Sequence, residues 1–168
     1  MQPTDYNKLT AEWIVSLAIY REARGEFAHN GLAPLTAVGN VIRNRVKSDT
    51  PWWKRGSTVS VWHGVVLQPY QFSSFNHGDP NEKVWPNPPS DDVWHQCYSV
   101  GTEIVGGGLE DNTSGACWYH DSSIAFPEAW GAREDYDLTL QAGRLSFYRL
   151  LPAPSNREQI QDAAAGEN

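Results

Sequence analysis

Apolar side chains recur at helical spacing close to the start of the chain. The positions on this face are Trp13, Ile14, Leu17, Ala18 and Tyr20. Thr10 precedes them and is a residue type that caps helix N-termini, whereas Gly25 is a residue type that ends helices. The pattern predicts a first helix from Thr10 to about Arg24, with Glu22 on its apolar face.

Two further stretches follow the same period. The second carries Pro34 in its first turn, a position where proline is tolerated. The third is predicted to begin at Ser90 as its N-cap, with Asp91 and Asp92 in the first turn, and to end at glycines 106–108. The apolar or small positions of these two helices are Leu35, Val38, Gly39, Ile42, Val46, Val93, Cys97, Val100 and Ile104.

Strands are predicted in the last third of the chain. Residues 116–120 are rich in β-forming side chains, and alternating apolar positions flank Ala142-Gly143, which predicts a hairpin. The alternating positions are Leu138, Leu140, Leu145 and Phe147. Between residues 48 and 89 the period is lost, apart from one or two helical turns predicted over 59–67.

The order of elements, helices first and strands afterwards, indicates an α+β domain. This domain is predicted to fill residues 1–150. The remainder, 151–168, has no aromatic side chain and is rich in Ala, Gln, Asp and Glu, which predicts a flexible acidic tail.

Composition and charge narrow the choice of ligand. The chain has 13 Lys and Arg against 20 Asp and Glu, so its net charge of -7 has the wrong sign for a protein that coats nucleic acid or anionic membranes. Its aromatic residues are 8 Trp, 7 Tyr and 5 Phe. Flat amphipathic rings suit the apolar faces of sugars, so a carbohydrate ligand is one expectation and additional core packing is the other.

The common metal, nucleotide and nucleophile motifs are missing from the sequence. The five His residues form no HxxxH, HxH or HExxH pair, and there is no GxSxG, P-loop or GxGxxG. No metal and no cofactor are therefore predicted. A thiol nucleophile at Cys117 with His120 as its base is disfavoured, because residues three apart on a strand point to opposite faces.

Glu22 is the strongest candidate for chemistry. A carboxyl group at the end of a largely apolar helix face is partly desolvated, and its raised pKa suits a general acid for glycosidic cleavage. The alternative is a buried ion pair between Glu22 and Arg24, Arg43 or Arg45. The residue pattern alone leaves both interpretations open.

Several motifs share their order along the chain with one enzyme family. The first is Glu-Ala-Arg-Gly-Glu at residues 22–26. The others are Ala37 to Val46, Gln68-Pro69, Gln71-Phe72-Ser73, Gly115 to His120, Trp130 and Phe147-Tyr148-Arg149. Together these motifs, which span about residues 11–150, resemble the SleB-type cell wall hydrolases, a family that includes spore cortex-lytic enzymes and phage endolysins.

The resemblance implies a lysozyme-like α+β fold related to lytic transglycosylases, and cleavage of peptidoglycan between N-acetylmuramic acid and N-acetylglucosamine. Glu22 matches the family's catalytic glutamate. Arg24 is expected to brace the following loop, and Glu26 to have a structural or substrate-positioning role. Arg21 stands where the family commonly has Gly, next to the catalytic position. The residues expected to line or border a glycan groove are Gln71, Phe72, Ser73, Tyr119, His120 and Trp130.

The resemblance makes a muramidase or lytic transglycosylase the expected function, in the setting of a phage endolysin. Two other classes stay open, namely a cell wall amidase or peptidase and a non-catalytic glycan-binding module. Hydrolysis in place of transglycosylation requires a second carboxylate, for which Glu26, Asp79 and Asp121 are the candidates.

The expected route to the substrate follows from the sequence start and from hydropathy. The sequence opens without a basic and apolar leader, and no apolar run reaches the ~18 residues of a membrane span. We expect a monomer that is made in the cytoplasm, does not insert into a membrane, and reaches peptidoglycan through a holin-type pore or inside a virion.

Overall fold

The N-terminal two thirds of the protein are helical, and the last third carries a small sheet. The structure, a computed structural model, describes residues 5–152. Its helices are α1 (Ala11–Ala23), α2 (Phe27–Asn30), α3 (Ala33–Lys47), α4 (Val61–Val66) and α5 (Asp92–Gly106), and its strands are β1 (Trp118–Asp121), β2 (Tyr136–Ala142) and β3 (Leu145–Leu150). This order confirms the predicted α+β architecture. The predicted tail lies outside the described residues, apart from residues 151 and 152.

Helix α1 begins as the sequence predicts. Thr10 has an extended backbone, and its hydroxyl oxygen accepts a hydrogen bond from the Trp13 amide at 3.2 Å. The helix ends at Ala23, close to the predicted Arg24, but Gly25 does not end it through a left-handed conformation. The chain continues through a 3-10 turn, Arg24–Glu26, into α2, and the left-handed glycine comes later, at Gly31 with φ 64°.

The N-cap of α5 is Asp91, one residue later than predicted. Its carboxylate accepts a hydrogen bond from the Trp94 amide at 2.9 Å, whereas the Ser90 hydroxyl donates to the Asn87 carbonyl. An aspartate at this position accepts a hydrogen bond from a free backbone amide and also places negative charge at the positive end of the helix dipole. The predicted end is confirmed, since Gly107 adopts the left-handed conformation with φ 88°.

Helix α1 lies at the centre of the core and packs against α3, α4 and α5. Residues 14–19 are fully buried, so the helix is covered on nearly all sides rather than on one stripe. Its crossing with α5 is close, because a Cβ at Gly101 would come within 2.1 Å of the Ser16 hydroxyl oxygen. A side chain at that position would separate the two helices.

The three strands form one antiparallel sheet in the order β1-β3-β2. Ala142 pairs with Leu145 across a turn in which Gly143 has φ 57°, which confirms the predicted hairpin. On the other side of β3, Tyr119 lies opposite Phe147. Phe147 is fully buried and belongs to the same core as the helices, so it anchors the sheet to them.

The segment between α3 and α5 consists of α4, three short 3-10 turns and loops. Helix α4 confirms the helical turns predicted over 59–67. The tryptophans of this segment divide between core and surface: Trp53 is buried, Trp62 and Trp85 are half-buried, and Trp52 is exposed.

Candidate active site

Glu22, in the last turn of α1, lies where two cavities meet. Their volumes are about 370 Å³ and 210 Å³, and both are lined by Glu22, Asp121 and Leu145. The larger cavity extends along β1 and the loop that contains residues 70–73, and the smaller one extends along the chain that follows α1. Open space therefore lies on two sides of the Glu22 carboxyl group.

Five of the six predicted groove residues line the larger cavity. They are Gln71, Ser73, Tyr119, His120 and Trp130. The prediction for Phe72 is wrong, because Phe72 is only 1% exposed and belongs to the core. Its ring centroid lies 5.1 Å from the guanidinium carbon of Arg45, so Phe72 supports the cavity wall from behind.

Two hydroxyl groups hold the Glu22 carboxyl. Tyr119 Oη donates a hydrogen bond to Glu22 Oε2 at 3.0 Å, and Ser74 Oγ donates one to Glu22 Oε1 at 3.0 Å. Tyr119 lies on β1, and Ser74 lies in the 3-10 turn Ser73–Phe75. Together with α1, three separate parts of the chain therefore meet at this carboxyl. Each oxygen of Glu22 therefore has a fixed position.

Burial raises the pKa of Glu22 above that of an exposed glutamate, and the negative charge of Asp79 adds to the rise. The hydrogen bonds from Tyr119 and Ser74 and the positive charge of Arg45 act in the opposite direction without cancelling the effect of burial. The carboxyl group keeps its proton to a higher pH than an exposed glutamate would, which suits a general acid.

The ion pair considered for Glu22 is absent from the part of the chain that the structure describes. Arg43 donates to the backbone carbonyls of residues 108–109. Arg24 donates to the Arg21 carbonyl within α1 and to Asn81 Oδ1 in the 3-10 turn Pro80–Lys83. Arg45 acts on Glu22 through its charge, but Glu22 forms no salt bridge with Arg24, Arg43 or Arg45 within residues 5–152. The interpretation of Glu22 as half of a buried ion pair is therefore wrong.

Arg45 is a buried cation in the wall of the larger cavity. Its guanidinium carbon lies 4.4 Å from the centroid of Trp53, and its Nε donates to the Cys117 carbonyl at 2.9 Å. Its Nη1 has no hydrogen-bond partner among residues 5–152. Burial lowers the pKa of Arg45 to about 10, so the group stays charged at neutral pH and stabilises the ionised form of Glu22.

Arg24 and Glu26 connect the end of α1 and the turn after it to other parts of the chain. Arg24 donates to the Arg21 carbonyl at 2.9 Å and to Asn81 Oδ1 at 3.2 Å, so it ties the end of α1 to the turn at residues 80–83 rather than bracing the loop that follows α1. Glu26 accepts hydrogen bonds from the backbone amide of Arg144 at 3.2 Å and from its Nε at 3.3 Å. Glu26 thereby ties the end of α1 to the turn between β2 and β3.

His120 shapes the cavity wall, and both of its ring nitrogens are engaged. Nδ1 lies 2.7 Å from the Asp121 carbonyl oxygen, and Nε2 lies 3.1 Å from Tyr148 Oη. The His120 ring also stacks on Tyr148 and contacts Trp130, with centroid distances of 5.4 Å and 5.8 Å. The Asp121 carboxylate accepts a hydrogen bond from the Ser123 amide at 2.8 Å.

Arg21, the departure from the family pattern, does not line the larger cavity. It is only 4% exposed, and it donates to the backbone carbonyls of Ser74, Glu82 and Val84 at 3.1, 2.8 and 3.0 Å. Its guanidinium also lies over the Trp85 ring at 4.8 Å. The long side chain holds the segment of residues 74–84 against α1, and Arg21 lines only the smaller of the two cavities.

The cysteines do not form a reactive centre. Burial raises the pKa of Cys97 to about 12 and also raises the pKa of Cys117, so neither thiol ionises readily.

Within residues 5–152, no group of three His, Cys, Asp or Glu side chains is arranged to hold a metal ion. Over the same range, no helix combines the length and apolar character needed to span a bilayer.

The sequence predicts no site role for three residues of the site, Tyr70, Ser74 and Arg45. Ser74 directly follows the matching block Gln71-Phe72-Ser73, and Tyr70 directly precedes it. Arg45 lies inside another matching block, where the sequence predicts only a possible ion pair. Their positions in or next to the matching blocks are the sequence signal that points to them.

Comparisons with known proteins bear on family and fold. A family model described as cell wall hydrolase matches residues 31–148. The structure is similar to the catalytic domain of the Bacillus cereus SleB protein, with 24% sequence identity, a TM-score of 0.58, and coverage of 88% of this chain and 94% of that domain. It is also similar to the catalytic domain of the germination-specific lytic transglycosylase SleB from Bacillus anthracis, with 21% identity, a TM-score of 0.57, and coverage of 89% and 99%. No curated protein sequence matches this chain.

The family match covers most of the chain and includes Arg45, Tyr119 and Trp130, whereas Glu22 lies before its first residue. The structural matches confirm the expected lysozyme-like α+β fold in the form of the SleB catalytic domain. By its sequence match over residues 31–148, the chain belongs to the cell wall hydrolase family.

Proposed function

We propose that the protein is a lytic transglycosylase that cleaves the β-1,4 bond between N-acetylmuramic acid and N-acetylglucosamine in peptidoglycan, with Glu22 as its acid and base. The observation that carries this proposal is the Glu22 carboxyl itself: half-buried, raised in pKa, held by Tyr119 and Ser74, and placed between two cavities. The family supports the cell wall as target, and the description of the Bacillus anthracis relative supports the reaction type.

In the first step, Glu22 donates its proton to the glycosidic oxygen as the bond from that oxygen to C1 of the muramoyl sugar breaks. Positive charge develops at C1, and the N-acetyl group of the same sugar can stabilise it. The carboxylate left on Glu22 is stabilised by the hydrogen bonds from Tyr119 and Ser74 and by the nearby charge of Arg45.

In the second step, the Glu22 carboxylate removes the proton of the C6 hydroxyl, and the C6 oxygen bonds to C1. The products are a 1,6-anhydro sugar and a free 4-hydroxyl on the leaving strand, and Glu22 is protonated again. No water is consumed, so a single carboxylate is sufficient.

The other acidic candidates each have a hydrogen-bond partner of their own within the described part of the chain. Glu26 is bound by Arg144, Asp79 accepts from the Asn81 amide, and Asp121 accepts from the Ser123 amide. Asp121 lines both cavities beside Glu22, so it is the residue to test if water proves to be the attacking group.

Digestion of purified sacculi followed by mass spectrometry of the soluble products tests the reaction type. We expect anhydro-muropeptides; reducing ends in their place would overturn the transglycosylase mechanism. Glu22→Gln should lower the rate by about 10²- to 10⁴-fold, the usual contribution of a general acid. Glu12→Gln, in the first turn of the same helix, is the matched control and should retain the native rate.

The same digestion separates the two rival classes. An amidase or peptidase would release stem peptides and leave the glycan strands uncut. A glycan-binding module would retain sacculi without releasing soluble fragments, and Glu22→Gln would then change nothing.

We further propose that the protein acts as a monomeric phage endolysin that reaches the cell wall through a holin-type pore. The resemblance of its motifs to a family that includes phage endolysins supports this setting. Expression in a bacterial host with and without a holin tests it: lysis only with the holin is expected, and equal lysis without it would contradict the proposal. Sedimentation of the purified protein tests the monomer.

A further inference from the structure

Tyr70 is an exposed aromatic residue at the catalytic cavity. Its relative exposure is 86%, the highest among the exposed large apolar side chains of the described residues. It lines the larger cavity together with Glu22. In residues 5–152, its ring contacts no other aromatic ring and its hydroxyl makes no hydrogen bond. Contacts within the protein therefore do not explain why the side chain lies at this position.

The backbone of Tyr70 is also in an unfavourable conformation. Its φ is 63°, in the left-handed region that large side chains rarely adopt. A hydrogen bond from its amide to Asn76 Oδ1 at 3.4 Å, and one from the Gln71 amide to the Gln68 carbonyl at 3.2 Å, fix the turn on either side. The fold therefore maintains strain in order to present a solvent-exposed ring, and such strain is commonly found at functional sites.

Another part of the wall of the larger cavity is also aromatic, but there the ring is packed against other rings, unlike that of Tyr70. Trp130 lies 5.3 Å from Phe126 and 6.0 Å from both Tyr136 and Tyr148, measured between ring centroids. Ile124, which is 56% exposed, adds an aliphatic contact to the same cavity. The cavity thus has apolar surfaces from two distant segments, with polar groups between them at Glu22.

We infer that Tyr70 is a substrate-binding residue whose ring stacks on the apolar face of an N-acetylhexosamine unit in the cavity beside Glu22. Sugar rings present C–H groups on one face and hydroxyls at their edges, so an exposed amphipathic ring contacts the first while its phenol oxygen stays in water. A cavity that combines apolar walls with a few placed polar groups is the usual form of a small-ligand site. This inference rests on the proposed function, since it names the substrate class of the same site.

Three substitutions at Tyr70 separate the ring from the hydroxyl and from the backbone strain. Tyr70→Phe keeps the ring, Tyr70→Ala removes it, and Tyr70→Gly removes it while accepting the positive φ without strain. With uncrosslinked peptidoglycan strands as substrate, we expect Tyr70→Phe to stay within twofold of the native KM. Tyr70→Ala and Tyr70→Gly should raise KM by about tenfold, the size of one aromatic contact, with kcat changed by less than threefold.

The thermal stability of Tyr70→Gly distinguishes a binding role from a structural one. Because the side chain is exposed and the strain is relieved, its Tm should equal or exceed the native value while its KM rises. Tyr98→Ala is the matched control, since Tyr98 is also exposed, lies on α5 and lines neither cavity; its KM should be native.

Two results would overturn the inference. One is a native KM for both Tyr70→Ala and Tyr70→Gly. The other is a Tyr70→Phe variant that loses as much as Tyr70→Ala, which would assign the effect to the hydroxyl. A second measurement does not depend on cleavage: it compares how tightly the Glu22→Gln variant and the double variant Glu22→Gln, Tyr70→Ala bind to sacculi. If the native protein releases no muropeptides, the proposed function fails, and this comparison still decides whether the ring holds glycan: about tenfold weaker binding supports it and equal binding overturns it.

Discussion

Tyr119 Oη donates a hydrogen bond of 3.0 Å to Glu22 Oε2, across 97 positions of the sequence. The Tyr119 ring is stacked on Phe147 of the neighbouring strand, with ring centroids 5.4 Å apart, so the hydroxyl has little freedom to turn away. Burial raises the pKa of Tyr119 well above its ordinary value, so the phenol stays protonated and remains a donor at neutral pH. The sheet thus reaches the helical part of the molecule at the Glu22 carboxyl.

Tyr119→Phe should shift the activity profile to higher pH. The hydrogen bond favours the ionised form of Glu22 and lowers its pKa, so removing it raises that pKa and the acid form persists further into alkaline solution. The alkaline limb of kcat/KM against pH should move upward, and the maximal rate should fall by about tenfold through the loss of one positioning contact. Ser74→Ala should move the limb in the same direction. An unchanged limb in both variants, or a downward shift, would contradict the assignment of Glu22 as the acid.

Glu22→Gln should make the protein more stable than the native form, increasingly so as pH rises. A carboxyl whose folded pKa is raised imposes no penalty below its ordinary pKa of about 4.3, where folded and unfolded states are both protonated. Above that pH the unfolded state ionises first, and stability falls by about 1.4 kcal/mol for each pH unit until the folded pKa is reached. Glutamine has no such loss.

The measurement is the difference in Tm between Glu22→Gln and the native protein from pH 4 to pH 8. We expect a gap that is small at pH 4, widens with pH and then levels off. Glu103→Gln, at an exposed position of α5, controls for the chemical change. A gap that narrows as pH rises would mean that the folded protein favours the ionised carboxylate.

Glu26→Gln should retain activity within a few-fold of the native enzyme. Glu26 accepts hydrogen bonds from Arg144 and from Asn30 at 3.1 to 3.3 Å, and a glutamine oxygen can keep part of that set. The lost ion pair involves an Arg144 side chain that is 74% exposed, so the stability change should stay below about 1 kcal/mol. Sacculus digestion by Glu26→Gln beside Glu22→Gln is the measurement. A loss as large as that of Glu22→Gln would make Glu26 a second reacting carboxylate and favour hydrolysis.

Gly101→Ala and Gly106→Ala, both on α5, should change stability in opposite directions. A Cβ at Gly101 would meet Ser16 Oγ at 2.1 Å and force α1 and α5 apart, at a cost of about 1–3 kcal/mol. A Cβ at Gly106 meets nothing within 4 Å, and alanine is the better helix former, so stability should rise by about 0.5 kcal/mol. Urea unfolding of the two variants checks this. Equal effects would mean that the helices do not cross as closely as described.

The elements that the sequence predicts correctly are those whose cause is local. Thr10 caps α1 through an amide three residues away, and the hairpin turn at Gly143 joins adjacent strands. The placement of Glu22 on an apolar helix face follows from helical periodicity in the same way. The pattern does not decide between two adjacent residues that can both cap a helix: it predicts Ser90 as the N-cap of α5, whereas Asp91 is the N-cap.

What the sequence by itself determined is the order of the elements, the family motifs and the position of Glu22 on an apolar helix face. The tertiary structure alone decided what surrounds that carboxyl. Its partners Tyr119 and Ser74 stand 97 and 52 positions away, Arg21 holds a loop, Phe72 faces the core, and Tyr70 faces the cavity. The physical reason is range: caps and periodicity act over about four residues, whereas burial, cavity shape and the pKa of Glu22 arise only when helix, loop and sheet pack together.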